Sequence, residues 1–434
     1  MKKIILTILI LSLIFTFCSC IANNAESNSV SVSTVSQKSD ESSSSSKNIE
    51  ESLESTEVPP MNYWVFGDGV DSSTKITFGD FVTAKDVDAK YIRETKNGNV
   101  YVSATANVFE IGGIVHPEKN NNEYYRLDAS KKTTYSNENN ALAQCTAGAT
   151  IRFRTNAPSF VLKVSMRNVS AGMTHFGDRG AFGFDIYTGT GTNRIYCGNM
   201  MQFFTNANAF EDTVTLPGGW QEVQINLPLY GGVSDVQIAV GENFKLGLPT
   251  PRDYAPIAFY GSSITQGGVV SRPGNMYSNI ICRALNADCL NLGFSGSAFG
   301  EQSVAEYIAT REISAFVMDY DYNARSLDEL ENTHYNFYKT VRTAHPDIPI
   351  ILVTHPYYST ENANDKARKK IIKATYNKAI SDGDKNIYFV DSESFFTPQM
   401  RDLYAVDNLH PNDLGHFFMG TAIFPTLSKT LKKD

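Results

Sequence analysis

The 434-residue chain lacks the charge pattern of a nucleic-acid-binding protein. It carries 38 Lys and Arg against 46 Asp and Glu, a net charge of −8. This balance leaves no basic excess to neutralise a phosphate backbone, and no stripe of Lys and Arg is interleaved with aromatic residues. We therefore expect no nucleic-acid partner.

Cysteine is scarce, with six in the whole chain. The four that follow the N-terminal segment show no CxxC spacing, so neither a zinc site nor a redox motif is predicted. A disulfide is permitted outside the cytoplasm, with Cys145 and Cys197 as one candidate pair. The sequence alone does not assign pairing among Cys145, Cys197, Cys282 and Cys289.

No apolar run at the N-terminus is long enough to span a bilayer. After Met1-Lys2-Lys3 an apolar stretch covers residues 4–17, which is short of a transmembrane helix and typical of a signal peptide over residues 1–19. A small residue, Ser19, precedes Cys20, which favours a lipid attached to Cys20 and possible membrane attachment; simple secretion is the alternative. Either way we expect an extracytoplasmic protein, secreted or held as a cell-surface lipoprotein.

Residues 20–60 contain almost nothing to bury, being rich in Ser, Asn and Glu and including the run Ser42–Ser46. Such a composition predicts a disordered tether. The remaining length is too great for one ordinary domain, and the 42% hydrophobic content can supply two cores. We expect a boundary near residue 250.

Residues 61–250 consist of short β-branched or aromatic runs broken by Gly, Asn, Asp and Pro. Several runs alternate apolar with polar residues, the period of a strand with one buried face. Many such strands with few helical stretches predict an all-β sandwich domain, jelly-roll-like in type. The predicted strands include residues 99–103, 150–154, 160–164, 184–187, 222–226 and 236–240.

Residues 251–434 instead alternate strands with helices. Mostly apolar runs predict strands buried on both faces, at residues 257–260, 289–292, 315–318, 350–353 and 387–390. Ser326 and Glu329 predict a capping box at the start of one helix, and a second helix is expected over residues 365–381. The pattern predicts an α/β fold with a three-layer, flavodoxin-like parallel sheet.

The polar segments that follow these strands should meet, because loops at the carboxyl ends of parallel strands build the active site. Gly261–Gly267 follows the first strand, Gly293–Ser297 the second and Asp319–Asn323 the third. Asp407-Asn408-Leu409-His410-Pro411 precedes the last helix. A serine hydroxyl needs an imidazole to take its proton, and the imidazole needs a carboxylate to orient it. Asp407 and His410, three residues apart, can hold that geometry on one turn.

These four segments resemble the sequence blocks of the SGNH (GDSL-type) hydrolase family, and Gly183-Phe184-Asp185-Ile186-Tyr187 resembles the Gly-x-Asp-Leu-Tyr motif of its branch with an N-terminal β-sandwich. The resemblance covers roughly residues 120–425. It implies a serine esterase without metal or organic cofactor. The absence of a Gly-x-Ser-x-Gly elbow disfavours the α/β-hydrolase fold.

The resemblance also implies a role for each matching residue. Ser263 is the predicted nucleophile, His410 its general base and Asp407 the residue that orients His410. The oxyanion hole is formed by the backbone N–H groups of Ser263 and Gly296 and by the side chain of Asn323.

Two positions depart from the family pattern. Ser262 stands where GDSL enzymes have an acidic residue, and the third block reads Asp-x-x-x-Asn, so Asp319 or Asp321 could arrange that loop differently.

Several other residues have two interpretations. His355 is either a substrate contact or structural, and Arg272 either touches substrate or belongs to a loop that leads into a helix. Asp185 is interpreted as a turn-forming or strand-end hydrogen-bonding carboxylate, with contact to a glycan or to the catalytic domain as the alternative. His334 is expected in the core, and a metal site on His416 is not expected.

The predicted reaction is hydrolysis of a short-chain, acetyl-type carboxylic ester, because sandwich-bearing members of the family resemble carbohydrate esterases. The substrate is then a small acyl ester or an acylated polysaccharide. Two alternatives remain: a glycan-binding surface lipoprotein whose catalytic domain is vestigial, and a lipase or acyltransferase that acts on longer chains.

Overall fold

A computed structural model describes residues 81–167, 175–201, 208–356, 362–394 and 401–431, which fall in one compact unit. The predicted signal peptide, the lipid on Cys20 and the tether lie outside the described residues. Within the described residues no helix is both long and apolar enough to cross a membrane.

Twelve strands form the N-terminal part of the described chain. They are β1 Val82–Thr83, β2 Ile92–Lys96, β3 Asn99–Ser103, β4 Glu110–Gly112, β5 Thr150–Thr155, β6 Ser159–Arg167, β7 Phe184–Thr188, β8 Ile195–Met200, β9 Ala209–Thr215, β10 Gln221–Asn226, β11 Gly232–Gly241 and β12 Lys245–Gly247. Two short helices accompany them, α1 Asn137–Leu142 and α2 Asp178–Phe182.

These strands form two antiparallel sheets that share one core. One sheet has the order β1-β12-β5-β10-β7-β8 with β4 also paired to β5, and the other has the order β2-β3-β11-β6-β9. Ile151 and Phe153 of the first sheet pack in the same cluster as Leu162 and Val164 of the second. Burial alternates along β6, as expected for a strand with one face against the core. The predicted β-sandwich is confirmed.

The C-terminal part contains five strands and seven helices in the described residues. The strands are β13 Tyr254–Gly261, β14 Ala287–Gly293, β15 Ala315–Asp319, β16 Ile350–Val353 and β17 Ile387–Val390. The helices are α3 Ser263–Gln266, α4 Tyr277–Leu285, α5 Gln302–Ala309, α6 Leu327–Ala344, α7 Ala363–Ser381, α8 Arg401–Tyr404 and α9 Asp413–Thr430.

The five strands form a parallel sheet in the order β14-β13-β15-β16-β17. Numbered by chain order this is 2-1-3-4-5, the flavodoxin-like order, so the predicted fold class is confirmed. In that order the connection reverses direction beside β13, and ligands bind at the carboxyl ends of the strands at this switch point. A ligand site is therefore expected among the residues that follow β13, β14 and β15.

Helix α6 begins as the sequence predicts but with a modified cap. The Ser326 side chain accepts a hydrogen bond from the Glu329 backbone N–H at 3.0 Å. The Glu329 carboxylate does not return to the Ser326 backbone; it accepts from the Arg325 N–H at 2.6 Å and also pairs with the Arg325 guanidinium. One of the two predicted capping-box bonds is present, the one that Ser326 accepts. The Glu329 carboxylate bonds Arg325 in place of Ser326, because the Arg325 guanidinium attracts it.

The candidate disulfide is not formed. Cys145 and Cys197 are free, with their Sγ atoms near the backbone carbonyls of Tyr230 and Thr215 respectively. Cys282 and Cys289 are buried free thiols.

Candidate active site

The turn that carries Ser263, the predicted nucleophile, follows β13 directly. Ser262 caps helix α3, with its Oγ accepting from the Ile264 N–H at 3.1 Å. This contact gives Ser262 a role that does not need an acidic side chain, because a serine hydroxyl is a good N-cap acceptor. The short helix closes at Gly267, which has a φ of 95° and so suits a glycine. Ser263 is therefore held as the first residue of α3.

Ser263, His410 and Asp407 form a continuous chain of contacts. Ser263 Oγ lies 3.0 Å from His410 Nε2, and His410 Nδ1 lies 2.8 Å from Asp407 Oδ2. The second oxygen of Asp407 accepts from the backbone N–H of His410 at 2.7 Å and of Leu409 at 3.2 Å. These bonds fix the carboxylate so that its other oxygen, Oδ2, faces the imidazole.

Backbone and side-chain hydrogen bonds on both sides hold the turn that carries Asp407 and His410. Ala405 and Pro411 form an isolated antiparallel bridge, and Asn412 caps α9 by accepting from two backbone N–H groups. Asn408, between the two triad residues, has a φ of 56°, a conformation that Asn tolerates better than most residues.

The local environment keeps Asp407 ionised. Partial burial raises the pKa of the Asp407 carboxyl, but hydrogen bonds from the His410 backbone and imidazole outweigh burial, so the pKa lies below its ordinary value. An ionised carboxylate on Nδ1 keeps the imidazole proton there and leaves Nε2 to accept from the serine hydroxyl.

The two predicted oxyanion donors follow the strands on either side of β13. Gly296 follows β14 with a φ of 66°, and Asn323 follows β15. Gln266 Oε1 accepts from the Ser295 N–H at 2.9 Å, which ties the loop before Gly296 to the nucleophile helix. Among the described residues, Asn323 Oδ1 is a buried oxygen with no hydrogen-bond partner. The fold thus brings both loops to the nucleophile's end of the sheet.

The acidic residues of the third block lie behind the site in a buried network. Asp319 accepts from the Tyr277 and Thr265 hydroxyls at 3.1 Å each. Burial, assisted by the nearby Asp321, raises the pKa of Asp319 to about 8. Asp321 Oδ2 lies 2.6 Å from His355 Nδ1.

His355 is structural in this network. Its Nε2 lies 3.4 Å from Asp365 Oδ1, so carboxylates face both ring nitrogens. Burial lowers the pKa of His355, but the two carboxylates outweigh burial and raise the pKa to about 9. A cationic His355 between two carboxylates therefore stiffens the loop that carries Asn323.

His334 and His416 are both buried. His334 bonds Thr375 Oγ1 at 2.9 Å, which confirms its place in the core. His416 Nδ1 accepts from the Tyr277 N–H, and its Nε2 donates to the Gly268 carbonyl. His416 therefore links α9 to the loop after the nucleophile.

The motif aspartate of the sandwich reaches the loop that follows the nucleophile. Asp185 Oδ2 lies 2.7 Å from Arg272 Nη1 and accepts from the Gly274 N–H at 2.8 Å. Its Oδ1 accepts from Asn226 Nδ2 at 2.7 Å. Asp185 is the second residue of β7 and fully buried, and its carboxylate makes the contact with the catalytic part of the chain that was the alternative interpretation. Arg272 is correspondingly a partner of Asp185 and of the Tyr187 hydroxyl.

Comparison with protein families adds an independent observation. The profile of the GDSL-like lipase/acylhydrolase family matches residues 254–428. The profile called GxDLY, the N-terminus of SGNH-hydrolase-type esterases, matches residues 99–246. The C-terminal part of the chain therefore matches the GDSL-like lipase/acylhydrolase family, and the sandwich matches the N-terminal domain of SGNH-hydrolase-type esterases. The two matches confirm the resemblance inferred from the sequence blocks and identify the protein as a carboxylic ester hydrolase.

Solved structures similar to this chain include a protein named as a GDSL-like lipase from Bacteroides ovatus. It is 27% identical with a TM-score of 0.68, over 77% of this chain and 99% of that one. The salicylyl-acyltransferase SsfX3 from a tetracycline biosynthetic pathway is 15% identical with a TM-score of 0.65, over 77% and 98%. A family two carbohydrate esterase from Clostridium thermocellum, in complex with cellohexaose, is 15% identical with a TM-score of 0.50, over 65% and 92%. No curated protein matches the sequence.

Sequence reasoning missed several residues that build this site. Arg126, fully buried, donates to the carbonyl of Gly293 at 2.6 Å, at the end of β14. Tyr230 donates to the Ser263 carbonyl at 3.1 Å. Asn291 donates to the Thr265 carbonyl at 2.6 Å. No local motif marks these residues, since each acts through a contact distant in sequence.

The sandwich also supplies His175 and Phe176 beside the triad. The ring of Phe176 lies 5.7 Å from that of His410 and 4.6 Å from that of Tyr230, between ring centroids. His175 Nε2 lies 3.6 Å from Asp407 Oδ2. The described site therefore has walls from both parts of the chain.

Proposed function

We propose that this protein hydrolyses short-chain carboxylic esters, acetyl esters on carbohydrate in particular, through an acyl-serine intermediate formed on Ser263. The observation that carries the proposal is the chain of contacts from Ser263 Oγ through His410 to Asp407. It is the arrangement that a serine nucleophile requires.

The first half-reaction follows from the positions of the protons. His410 Nε2 takes the hydroxyl proton as Ser263 Oγ attacks the ester carbonyl carbon, which gives a tetrahedral intermediate and an imidazolium. Asp407, ionised and bonded to Nδ1–H, stabilises that imidazolium. The intermediate collapses when the Oγ-bound carbon expels the alcohol oxygen, which receives the proton from Nε2. The products are the free alcohol and an acyl-serine ester.

Water completes the cycle by the same route. His410 takes a proton from water as its oxygen attacks the acyl carbon, and returns the proton to Ser263 Oγ when the carboxylic acid leaves. In each half-reaction the negative charge on the former carbonyl oxygen is stabilised by the N–H groups of Ser263 and Gly296 and by the Asn323 amide. Donors that are already in place stabilise this charge without reorganising during the reaction.

The carbohydrate part of the proposal is supported by similarity. The family two carbohydrate esterase shares this fold and was solved with a bound oligosaccharide. An exported enzyme would meet acylated polysaccharide outside the cell.

The extracytoplasmic location rests on the N-terminal sequence, and so does lipid attachment at Cys20. Both are tested by expressing the full chain in a bacterial host and analysing the membrane fraction by mass spectrometry. A diacylglyceryl adduct on Cys20 that disappears in Cys20→Ala supports the anchor. Recovery of the unmodified mature protein in the medium favours simple secretion.

The activity is tested with aryl esters from acetyl to dodecanoyl, using residues 61–434. We expect the highest kcat/KM on the acetyl ester and a rate at the uncatalysed background in Ser263→Ala. Ser234→Ala, which removes an exposed hydroxyl on β11, is the matched control and should retain the full rate.

Two further measurements separate the alternatives. Acetate release from acetylated polysaccharide supports the carbohydrate substrate, and product analysis with an added alcohol acceptor distinguishes hydrolysis from acyl transfer. A wild-type protein inactive on every acyl length, yet retained by an immobilised glycan, would instead support the binding-protein alternative.

A further inference from the structure

A second imidazole shares the triad carboxylate. His175, from the segment just before α2, places Nε2 3.6 Å from Asp407 Oδ2, the same oxygen that lies 2.8 Å from His410 Nδ1. One ligand atom from each of these three residues lies within 4.8 Å of the others. Two imidazole nitrogens and a carboxylate oxygen thus converge on one point beside the triad.

We propose that His175, Asp407 and His410 form a Zn²⁺ site whose occupation switches the hydrolase off. The inference rests on the proposed function only for its regulatory consequence. The metal site itself is defined by the three side chains.

The donor atoms suit a transition-metal ion. Imidazole nitrogen and carboxylate oxygen are ordinary Zn²⁺ ligands, and divalent zinc takes them at about 2.0–2.2 Å in a tetrahedral arrangement. Such ligands lie roughly 3.3 Å from one another. The three donor atoms lie within 4.8 Å of one another, so the widest separation has to close by up to about 1.5 Å, and the 2.8 Å between His410 Nδ1 and Asp407 Oδ2 has to open by about 0.5 Å. Three protein ligands leave the fourth position to water.

The surroundings favour occupation by a cation. His175 Nε2 is a buried nitrogen without a hydrogen-bond partner among the described residues, so coordination would satisfy an atom that otherwise has none. The His175 ring stacks on Phe176 with a centroid distance of 4.6 Å, which limits its orientations. The Asp407 side chain is 33% exposed, which gives an ion a route of entry from solvent.

Metal binding and catalysis exclude each other at His410. In the catalytic form the single proton of the neutral ring lies on Nδ1 and is donated to Asp407, so that Nε2 can accept from Ser263. A metal bound at Nδ1 requires that nitrogen to be unprotonated, and the proton then lies on Nε2. Nε2 becomes a donor and cannot remove the serine proton, so the zinc-bound enzyme has no general base.

Binding is measured first without reference to activity. Ser263→Ala lacks the nucleophile but keeps all three ligands, so isothermal titration with ZnCl₂ at neutral pH should show one site per chain. His175→Phe removes one ligand while keeping an aromatic ring against Phe176, and should weaken binding by about tenfold or more. His175→Gln serves as a second variant if the phenylalanine perturbs folding. His116→Gln, which alters a sandwich histidine distant in sequence from all three ligands, is the control and should bind like the parent.

Inhibition is measured next on the otherwise unchanged full chain, with each variant compared to its own metal-free rate. Zn²⁺ should inhibit the wild type and His116→Gln, EDTA should restore the rate, and the same concentration of Mg²⁺ should have no effect. The half-inhibitory Zn²⁺ concentration should rise about tenfold or more in His175→Phe.

The outcomes distinguish the two proposals. Failure of Ser263→Ala to bind Zn²⁺, or equal binding in both His175 variants and the parent, would overturn the metal site. Zinc bound through His175 without loss of esterase rate would overturn the switch. An inactive wild type that still binds zinc through His175 would refute the proposed function and leave the metal site standing.

Discussion

At the scale of single residues, Asn323 is the member of the proposed oxyanion hole whose contribution can be removed by substitution. The other two donors are backbone N–H groups, whereas Asn323 offers a side-chain amide at the end of the loop after β15. Its neighbouring acids do not replace it, since Asp319 and Asp321 are committed to Tyr277 and His355.

Asn323→Ala should lower kcat on the acetyl ester by about 100- to 1,000-fold with a much smaller change in KM, because the lost donor acts on charge that develops in the transition state. Steady-state kinetics measure this. Asn336→Ala, an exposed asparagine on α6, is the control. A fall in kcat below tenfold would mean that the oxyanion is held by backbone groups alone.

Asp319 gives a pH-dependent contribution to stability. Burial raises its folded-state pKa to about 8, well above the value of about 3.9 in an unfolded chain. Between these values the folded protein holds a proton that the unfolded chain has released. The contribution is therefore fully present at low pH and is lost as pH rises through about 8.

Asp319→Asn should remove this dependence. The free energy of unfolding of the wild type should fall more steeply than that of the variant from pH 5 to pH 8, by up to about 1.4 kcal/mol per pH unit. Urea titrations at four pH values measure the two slopes, with the exposed Asp328→Asn as a control. Parallel slopes in wild type and Asp319→Asn would show that Asp319 is ionised in the folded state.

At the scale of elements, strand β7 of the sandwich positions the loop that leads from the nucleophile to α4. Asp185 satisfies both the Arg272 guanidinium and the Gly274 N–H. A Cβ at Gly274 would lie 2.5 Å from the Tyr187 hydroxyl, so the loop and the strand are in close contact there.

Asp185→Asn should destabilise the protein by about 2–4 kcal/mol, because it leaves the Arg272 charge half-buried without a counter-charge. It should also lower kcat/KM, since the loop begins five residues after Ser263. Urea denaturation and kinetics of the variant test both effects, and the exposed Asp178→Asn is the control. An unchanged unfolding midpoint would show that the loop holds its position without the strand.

At the scale of the whole molecule, buried charged groups bind the sandwich to the parallel sheet. Arg126 donates to the carbonyls of Asn291 and Gly293, and Arg194 bonds both Glu222 and Asn286. These arginines lie in the first part of the chain, and Asn286, Asn291 and Gly293 lie in the second. Separating the two parts would leave several of these polar groups buried without partners, at a cost of about 1–3 kcal/mol each.

The two parts should therefore unfold together. Differential scanning calorimetry of residues 61–434 should show one transition in which the calorimetric and van't Hoff enthalpies agree. Arg126→Met should move that single transition to lower temperature, whereas Lys119→Met, a substitution of a nearby surface lysine, should leave it in place. Two resolved transitions in the wild type would instead show independent domains and support a functional boundary near residue 250.

Much of this organisation could be predicted from local patterns. Strands β14 to β17 lie within a few residues of their predicted positions, because strands buried on both faces are continuous apolar runs. The clustering of Ser263, Asp407 and His410 was also expected, since parallel strands must bring their carboxyl ends to one edge. The catalytic roles assigned to these residues, the oxyanion donors and the domain boundary stay predictions, as do the N-terminal signal and lipid.

The sequence by itself determined the fold class, the resemblance to the SGNH hydrolases and the segments from which the site is built, because hydrophobic period and short motifs are local properties of the chain. Only the tertiary structure decided that Asp185 bonds the loop after the nucleophile, that Cys145 and Cys197 stay free and that His175 shares Asp407 with His410. Those three facts depend on distances between residues far apart in the chain. No local pattern encodes such distances, since they follow from how the sandwich packs on the sheet.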